Sequence, residues 1–216
     1  MAAKHVVLIT GGNTGLGYEA VKALYQSSNA YEILIGSRSL DKANAAVSSL
    51  KQEVASSPST LSPVQVDVES DESIDEAFET VSARFGQLDT LINNAGAGFG
   101  REIQDGKLGL REGWNKTWDV NVTGAHVMTT VFMPFLLKAQ NPRLIFITSG
   151  TSSLAETERF DVKAMQVING SPEAGWPKPP QPNPVMTYRS AKTGLNMVSL
   201  RSDVSPISVT HKLTSI

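Results

Sequence analysis

Residues 10–17, Thr10-Gly11-Gly12-Asn13-Thr14-Gly15-Leu16-Gly17, follow the apolar run His5-Val6-Val7-Leu8-Ile9 and open an amphipathic stretch. No other feature constrains the fold as strongly. A buried strand must deliver the backbone into a tight turn, and the turn must lead straight into a helix. Glycines at 11, 15 and 17 remove the side chains that would keep a ligand away from the backbone. The unpaired amides of the first helical turn, with the positive end of the helix dipole behind them, then favour an anion. The junction therefore predicts a cradle for the pyrophosphate of a dinucleotide, with Asn13 and Leu16 in the turn itself. The glycine spacing is three residues and then one, rather than the commoner one and then two.

Size and composition narrow the class. A chain of 216 residues suits one well-buried α/β domain, read here as a single dinucleotide-binding domain over 1–216. Hydrophobic residues at 40% and charged residues at 19% describe an ordinary globule. A net charge of −2 offers no field for nucleic acid or an anionic membrane. The absence of cysteine excludes disulfides, thiolate chemistry and cysteine-bound zinc. His5, His126 and His211 are far apart, and none has a carboxylate at ligand spacing, so no metal site is expected. The first strand starts too close to Met1 for a signal peptide, and the densest apolar stretch, residues 131–137, is too short to span a bilayer. A cytoplasmic protein is the resulting expectation.

Strand and helix signals alternate. Apolar runs predict strands over 5–9, 32–36, 63–68, 88–92 and 143–148. Between them, apolar residues at helical spacing predict helices, the clearest being Ile74, Ala77, Phe78, Val81 and Phe85, closed by Gly86. A long helical region is predicted over about 114–139. Strand–helix–strand repeats with nearly continuous apolar strands imply a Rossmann-like, doubly wound parallel sheet with helices on both faces.

Two segments break this pattern. Residues 155–184 are irregular, and their last part holds six of the chain's 11 prolines. Proline density of that kind excludes a helix interior or central strand, leaving a surface excursion with one short helix around 159–168. Beyond a helix that stops near residue 200, the one strand candidate is Ile207-Ser208-Val209.

Four features then occur in order: the glycine turn, Asn93-Asn94-Ala95-Gly96 after the fourth strand, Ser149 after the fifth, and Tyr188-Arg189-Ser190-Ala191-Lys192. With Asn121 in Asn121-Val122-Thr123-Gly124 as a fifth, the chain resembles the short-chain dehydrogenase/reductase family over about residues 5–200. The resemblance implies an oxidoreductase that transfers hydride between a nicotinamide and a small carbonyl or alcohol.

Tyr188 and Lys192 are four apart on a predicted helix, so their side chains share a face. A tyrosine has an unperturbed pKa of about 10. A nearby ammonium is expected to favour the phenolate and lower that value, making Tyr188 the proton donor to a carbonyl oxygen. Ser149 would hydrogen-bond the same oxygen, in preference to Ser152 or Ser153 because of its register against the strand. The resemblance further implies that Lys192 binds the nicotinamide ribose and that Asn121 keeps a water that relays protons to it.

The end of the second strand bears on the cofactor. An acidic residue there would bind the adenosine ribose and select NAD. Gly36-Ser37-Arg38-Ser39 holds none, and Arg38, with Lys42 one turn into the next helix, suits a 2′-phosphate. NADP(H) is the expected cofactor. Asp67 resembles the family's adenine contact and Asn94 its adenosine-ribose contact, with Ala95 and Gly96 beside it. Asn93 is expected to tie neighbouring strands together.

The 39 positions from Ser149 to Tyr188, with Gly175-Trp176-Pro177 near the end, resemble the insertion of the monomeric carbonyl reductases, which implies a monomer. At the other end, Val204-Ser205-Pro206-Ile207 resembles the family's proline–glycine turn with isoleucine in the glycine's place. Only 14 positions separate Lys192 from Pro206, where a full helix and strand need roughly 20. That count points to truncated C-terminal strands, an exposed sheet edge and a truncated or mis-spliced product. The alternatives to a carbonyl reductase are an inactive NADP-binding sensor or interaction protein, or a non-functional fragment.

Overall fold

The computed structural model describes residues 4–170, 174–181, 183–200 and 208–214. Six strands form one parallel sheet: β1 (His5–Thr10), β2 (Tyr31–Ser37), β3 (Thr60–Gln65), β4 (Thr90–Asn93), β5 (Arg143–Ser149) and β6 (Ser208–Thr214), in the order β3-β2-β1-β4-β5-β6. The order runs outward from β1 in both directions, the doubly wound arrangement that leaves a crevice where the direction reverses.

Alternation along each strand divides the core. Val6 and Leu8, Leu34, Leu91, Leu144 and Phe146 face one side of the sheet. There they meet α3 (Asp71–Arg84), α6 (Gly124–Leu136) and α8 (Met186–Leu200) through Ile74, Val81, Phe132, Phe135 and Leu195. Val7, Ile9, Ile33, Ile35 and Ile92 face the other side, against α1 (Gly15–Tyr25) and α2 (Leu40–Glu53) through Val21, Tyr25, Val47 and Leu50. Both faces are covered, which is why the strands read as continuous apolar runs. Phe132, Phe135 and Phe146 are fully buried, and each contributes roughly 2 kcal/mol of apolar transfer.

Several boundaries differ from expectation. β3 starts three residues earlier than the apolar run suggested and includes Pro63, which pairs with Ile35. β3 is an edge strand, so the missing proline N–H costs no ladder bond on its open side. Asp67 consequently lies beyond the strand. The helical region begins at Leu110, earlier than expected. It runs as α5 (Leu110–Trp118), a π-helical turn (Asp119–Thr123) and α6, which continues through Pro134. A short α4 (Gly100–Gln104) interrupts the preceding loop. The excursion after β5 contains two 3-10 turns (Gly150–Ser152, Ala155–Glu158) and α7 (Lys163–Asn169).

The expected loss of the strand beside β5 is corrected. β6 pairs with β5 along seven residues, from Arg143↔Ser208 to Ser149↔Thr214. The residue count failed because it placed the sixth strand before Pro206, whereas that strand follows the proline. Pro206 and Ile207 themselves lie outside the described residues.

Candidate active site

The ends of β1 and β4 are laced together by Thr10 and Asn94. The Thr10 hydroxyl oxygen accepts from the amides of Asn94 and Ala95, both at 3.0 Å. The Asn94 side-chain amide donates to the carbonyls of Thr10 at 2.9 Å and Gly11 at 3.2 Å. Asn94 thus does the stitching expected of Asn93. Asn93 instead donates to the Thr129 hydroxyl on α6 at 2.9 Å. Gly11 sits at φ +63°, a left-handed conformation that favours glycine. Gly17 is required sterically, because a Cβ there would run into the Gly11 carbonyl and the Asn94 amide. Thr14 makes no side-chain cap on α1, so the first turn of that helix keeps its amides for a ligand.

Above this turn lies a cleft of about 440 Å³. Its floor is Gly11, Asn13, Gly15, Leu16 and Gly17 from the turn and Asn94, Ala95 and Gly96 from the end of β4. Ser37, Arg38, Lys42 and Asp67 line it on the side of β2 and β3, and Tyr188 and Lys192 on the side of β5, where Lys192 bonds Ile147. Every residue expected to hold the dinucleotide therefore borders one cavity. Ser39 caps α2 by accepting from the Lys42 amide at 3.3 Å, which places Arg38 and Lys42 on successive turns of backbone at the cleft's rim. Asp67 accepts from the Glu69 amide at 3.1 Å. Glu69, which sequence reasoning missed, also lines the cleft. Burial and the neighbouring Asp67 carboxylate raise its pKa. Ile147 was missed as well, although alternation along β5 puts it on the face opposite Phe146.

Asn121 and Ser149 do not border the cavity; both are buried behind it. Asn121 occupies the π-helical turn, and its amide donates to the carbonyls of Ala97 at 2.5 Å and Thr117 at 2.7 Å. Its Oδ1 has no hydrogen-bond partner among the described residues. A Cβ at Gly96 would meet both that oxygen and the Lys192 ammonium, so the two groups flank one point beside the floor. The Ser149 hydroxyl lies 2.9 Å from that of Thr151.

Lys192 is 2% exposed and donates to the Ile147 carbonyl at 2.9 Å. Its ammonium stands 5.7 Å from the centre of the Tyr188 ring. Burial lowers the Lys192 pKa to about 8, and burial raises that of Tyr188. The expectation that the Tyr188 pKa is lowered is therefore corrected: desolvation by burial moves it up.

A parallel sheet with a glycine-lined cleft at its reversal point, and a tyrosine and lysine one helical turn apart at its rim, defines a dinucleotide-dependent oxidoreductase. The chain belongs to the short-chain dehydrogenase family, whose model matches residues 5–159. It is 46% identical over 200 residues to the short-chain dehydrogenase/reductase tropE of Talaromyces stipitatus, covering 93% of this chain and 72% of that one. It is 45% identical over 199 residues to eupG of a Phoma species, covering 91% and 69%. In fold it resembles an alcohol dehydrogenase from the archaeon Thermococcus sibiricus complexed with 5-hydroxy-NADP. The TM-score is 0.70 at 20% identity, covering 99% of this chain and 77% of the other.

Proposed function

We propose that this protein reduces an aldehyde or ketone to the alcohol with NADPH. The observation that carries the reading is the placement of Tyr188 and Lys192 on one face of α8, at the end of the cleft away from Arg38. A dinucleotide laid between these ends would have its pyrophosphate over Gly11–Gly17 and its 2′-phosphate near Arg38 and Lys42, with no carboxylate at the end of β2 to oppose it. Asp67 and Asn94 would meet the adenosine half, and Lys192 the nicotinamide ribose. The glycine cradle fits such a ligand, and the Asn121 Oδ1 beside Lys192, without a partner among the described residues, fits the ordered water that the family resemblance implies.

Bound NADPH supplies the hydride. Tyr188 donates its phenolic proton to the carbonyl oxygen as negative charge develops there. Burial keeps Tyr188 protonated beforehand, which is the form that reduction needs. As the phenol gives up its proton, the Lys192 ammonium favours the phenolate that forms. Ser149 would hydrogen-bond the same carbonyl oxygen and hold the reacting carbon in line. Asn121, fixed through Ala97 and Thr117, would hold the water through which Lys192 exchanges protons.

The test is NADPH consumption with a panel of aldehydes and ketones, comparing the wild type with Tyr188→Phe. Reduction by the wild type and its loss in the variant, with NADPH binding retained, supports the reading. Equal rates in the two proteins would sink it.

A further inference from the structure

Helix α8 has a second working face. The residues that follow Tyr188 and Lys192 are Arg189 and Thr193, and these, with Asn196, reach the turn after β5 that carries Ser149. Arg189 Nε donates to the Thr151 carbonyl at 2.8 Å. The Thr193 hydroxyl donates to the Ser152 carbonyl at 2.6 Å. Asn196 donates to the Ser152 hydroxyl oxygen at 3.0 Å, and Ser152 in turn donates to the Ser149 carbonyl at 2.5 Å. The helix that presents the tyrosine thus also sets the serine turn.

Within that turn, two groups of Thr151 address Ser149. Its amide donates to Ser149 Oγ at 3.3 Å, and its hydroxyl lies 2.9 Å from the same atom. A serine hydroxyl has one proton and two lone pairs. The Thr151 amide engages one lone pair. If the Thr151 hydroxyl donates to the other, the Ser149 proton is left over for an incoming oxygen. If instead Ser149 donates to Thr151, it has no proton to offer a carbonyl. At 1% exposure, Ser149 has little access to solvent through which to reorient its hydroxyl.

We propose that Thr151 is the positioning residue for Ser149, donating to its oxygen so that the serine proton faces the substrate carbonyl, with Arg189 clamping Thr151 from the tyrosine helix. Arg189 is suited to a clamp. Besides Thr151 it donates to the Ile168 carbonyl at 3.3 Å and to Asn169 Oδ1 at 2.8 Å, so it ties α8, the serine turn and the end of α7 to one planar group. All three acceptors are neutral, and its Nη2 is buried without a partner among the described residues, so the group serves geometry at a cost in hydrogen bonding. The inference rests on the reading of Ser149 and Tyr188 given under Proposed function.

The experiment compares Thr151→Val, Thr151→Ser, Arg189→Lys, Ser149→Ala and the Ser149→Ala/Thr151→Val pair in the full chain. For each protein, kcat and KM for a carbonyl reduced by the wild type are measured with the NADPH dissociation constant and the melting temperature. Thr151→Val is expected to lower kcat about tenfold, the worth of one oriented hydrogen bond, with NADPH affinity unchanged. Thr151→Ser should restore kcat to within about twofold, because it returns the hydroxyl. Arg189→Lys should fall between them. The double variant should match Ser149→Ala alone, because Thr151 acts through the serine. Wild-type kcat in Thr151→Val while Ser149→Ala loses activity overturns the inference and leaves the reductase reading standing. Equal losses in Thr151→Val and Thr151→Ser overturn it in favour of packing. Wild-type kcat in Ser149→Ala removes the serine from the reaction and the inference with it.

Discussion

The Lys192 ammonium lies 5.7 Å from the centre of the Tyr188 ring, and burial drives the two groups in opposite directions: the lysine down to about 8 and the tyrosine up. Each shift favours the neutral form, because a cation and a phenolate both lose solvation in the same wall. The pair is therefore poised as a neutral phenol beside a lysine that still carries its charge at neutral pH.

Catalysis should show this poise in its direction. In the proposed mechanism Tyr188 must be protonated for reduction and ionised for oxidation, and its pKa is raised above the ordinary value of 10. NADPH-dependent reduction at saturating substrate is expected to be flat from about pH 6 to pH 7.5, where both groups hold their protons. Alcohol oxidation by NADP⁺ should climb as pH rises toward the tyrosine's pKa. Paired pH–rate profiles test this, and an oxidation rate that is flat above pH 8 contradicts it.

Lys192 should leave a signature in stability. Its pKa falls from 10.5 unfolded to about 8 folded, so the unfolded chain binds more protons between those values. Stability from this group therefore rises with pH across that window: the penalty for burying the charge is full below about 8 and gone above 10.5. Relative to Lys192→Met, which cannot titrate, the wild type should gain on the order of 3 kcal/mol between pH 7.5 and 10.5. Urea midpoints at the two pH values measure it. A constant difference between the proteins would show that the lysine is not desolvated.

At the opposite end of the cleft, Arg38 is exposed, and the end of β2 holds no acidic residue. Arg38→Ala is expected to weaken NADPH binding about 10- to 100-fold, the range of a charge-assisted hydrogen bond, and to leave NADH affinity nearly unchanged. Fluorescence titration with both nucleotides decides the point. Parallel losses for the two would place Arg38 away from the 2′-phosphate.

The glycine turn supplies a steric prediction. Gly17→Ala would press a methyl group into the Gly11 carbonyl and the Asn94 amide, forcing the turn open. A loss of about 1–3 kcal/mol is expected, along with a smaller NADPH-induced rise in melting temperature. Gly86→Ala, where a methyl group would meet nothing within 4 Å, is the control and should be nearly neutral.

Much of this was readable from local pattern. The glycine turn, the Tyr188–Lys192 pair and the alternating core of β1 and β2 depend on residues within a turn or two of each other. The errors have a common origin in distance. Asn93 was expected to tie the strands, but the asparagine whose side chain does so is Asn94, and its partner lies 84 positions away at Thr10. The apolar run put β3 at 63–68, whereas its ladder with β2, a neighbour from elsewhere in the chain, runs over 60–65. Ser149 was identified by register, yet its hydroxyl environment comes from Thr151, and the clamp on Thr151 comes from Arg189, 38 positions further on.

By itself the sequence determined which segments are strands and helices, which of their faces are apolar, and that a glycine turn joins β1 to α1. These follow from backbone sterics and side-chain periodicity, which act between near neighbours. Only the tertiary structure decided that β6 covers the edge of β5, which asparagine laces the sheet, and how far Tyr188 and Lys192 shift from their ordinary acidities. Burial and hydrogen-bond partnership depend on what folding brings in from elsewhere in the chain, and so does the local dielectric that sets those acidities.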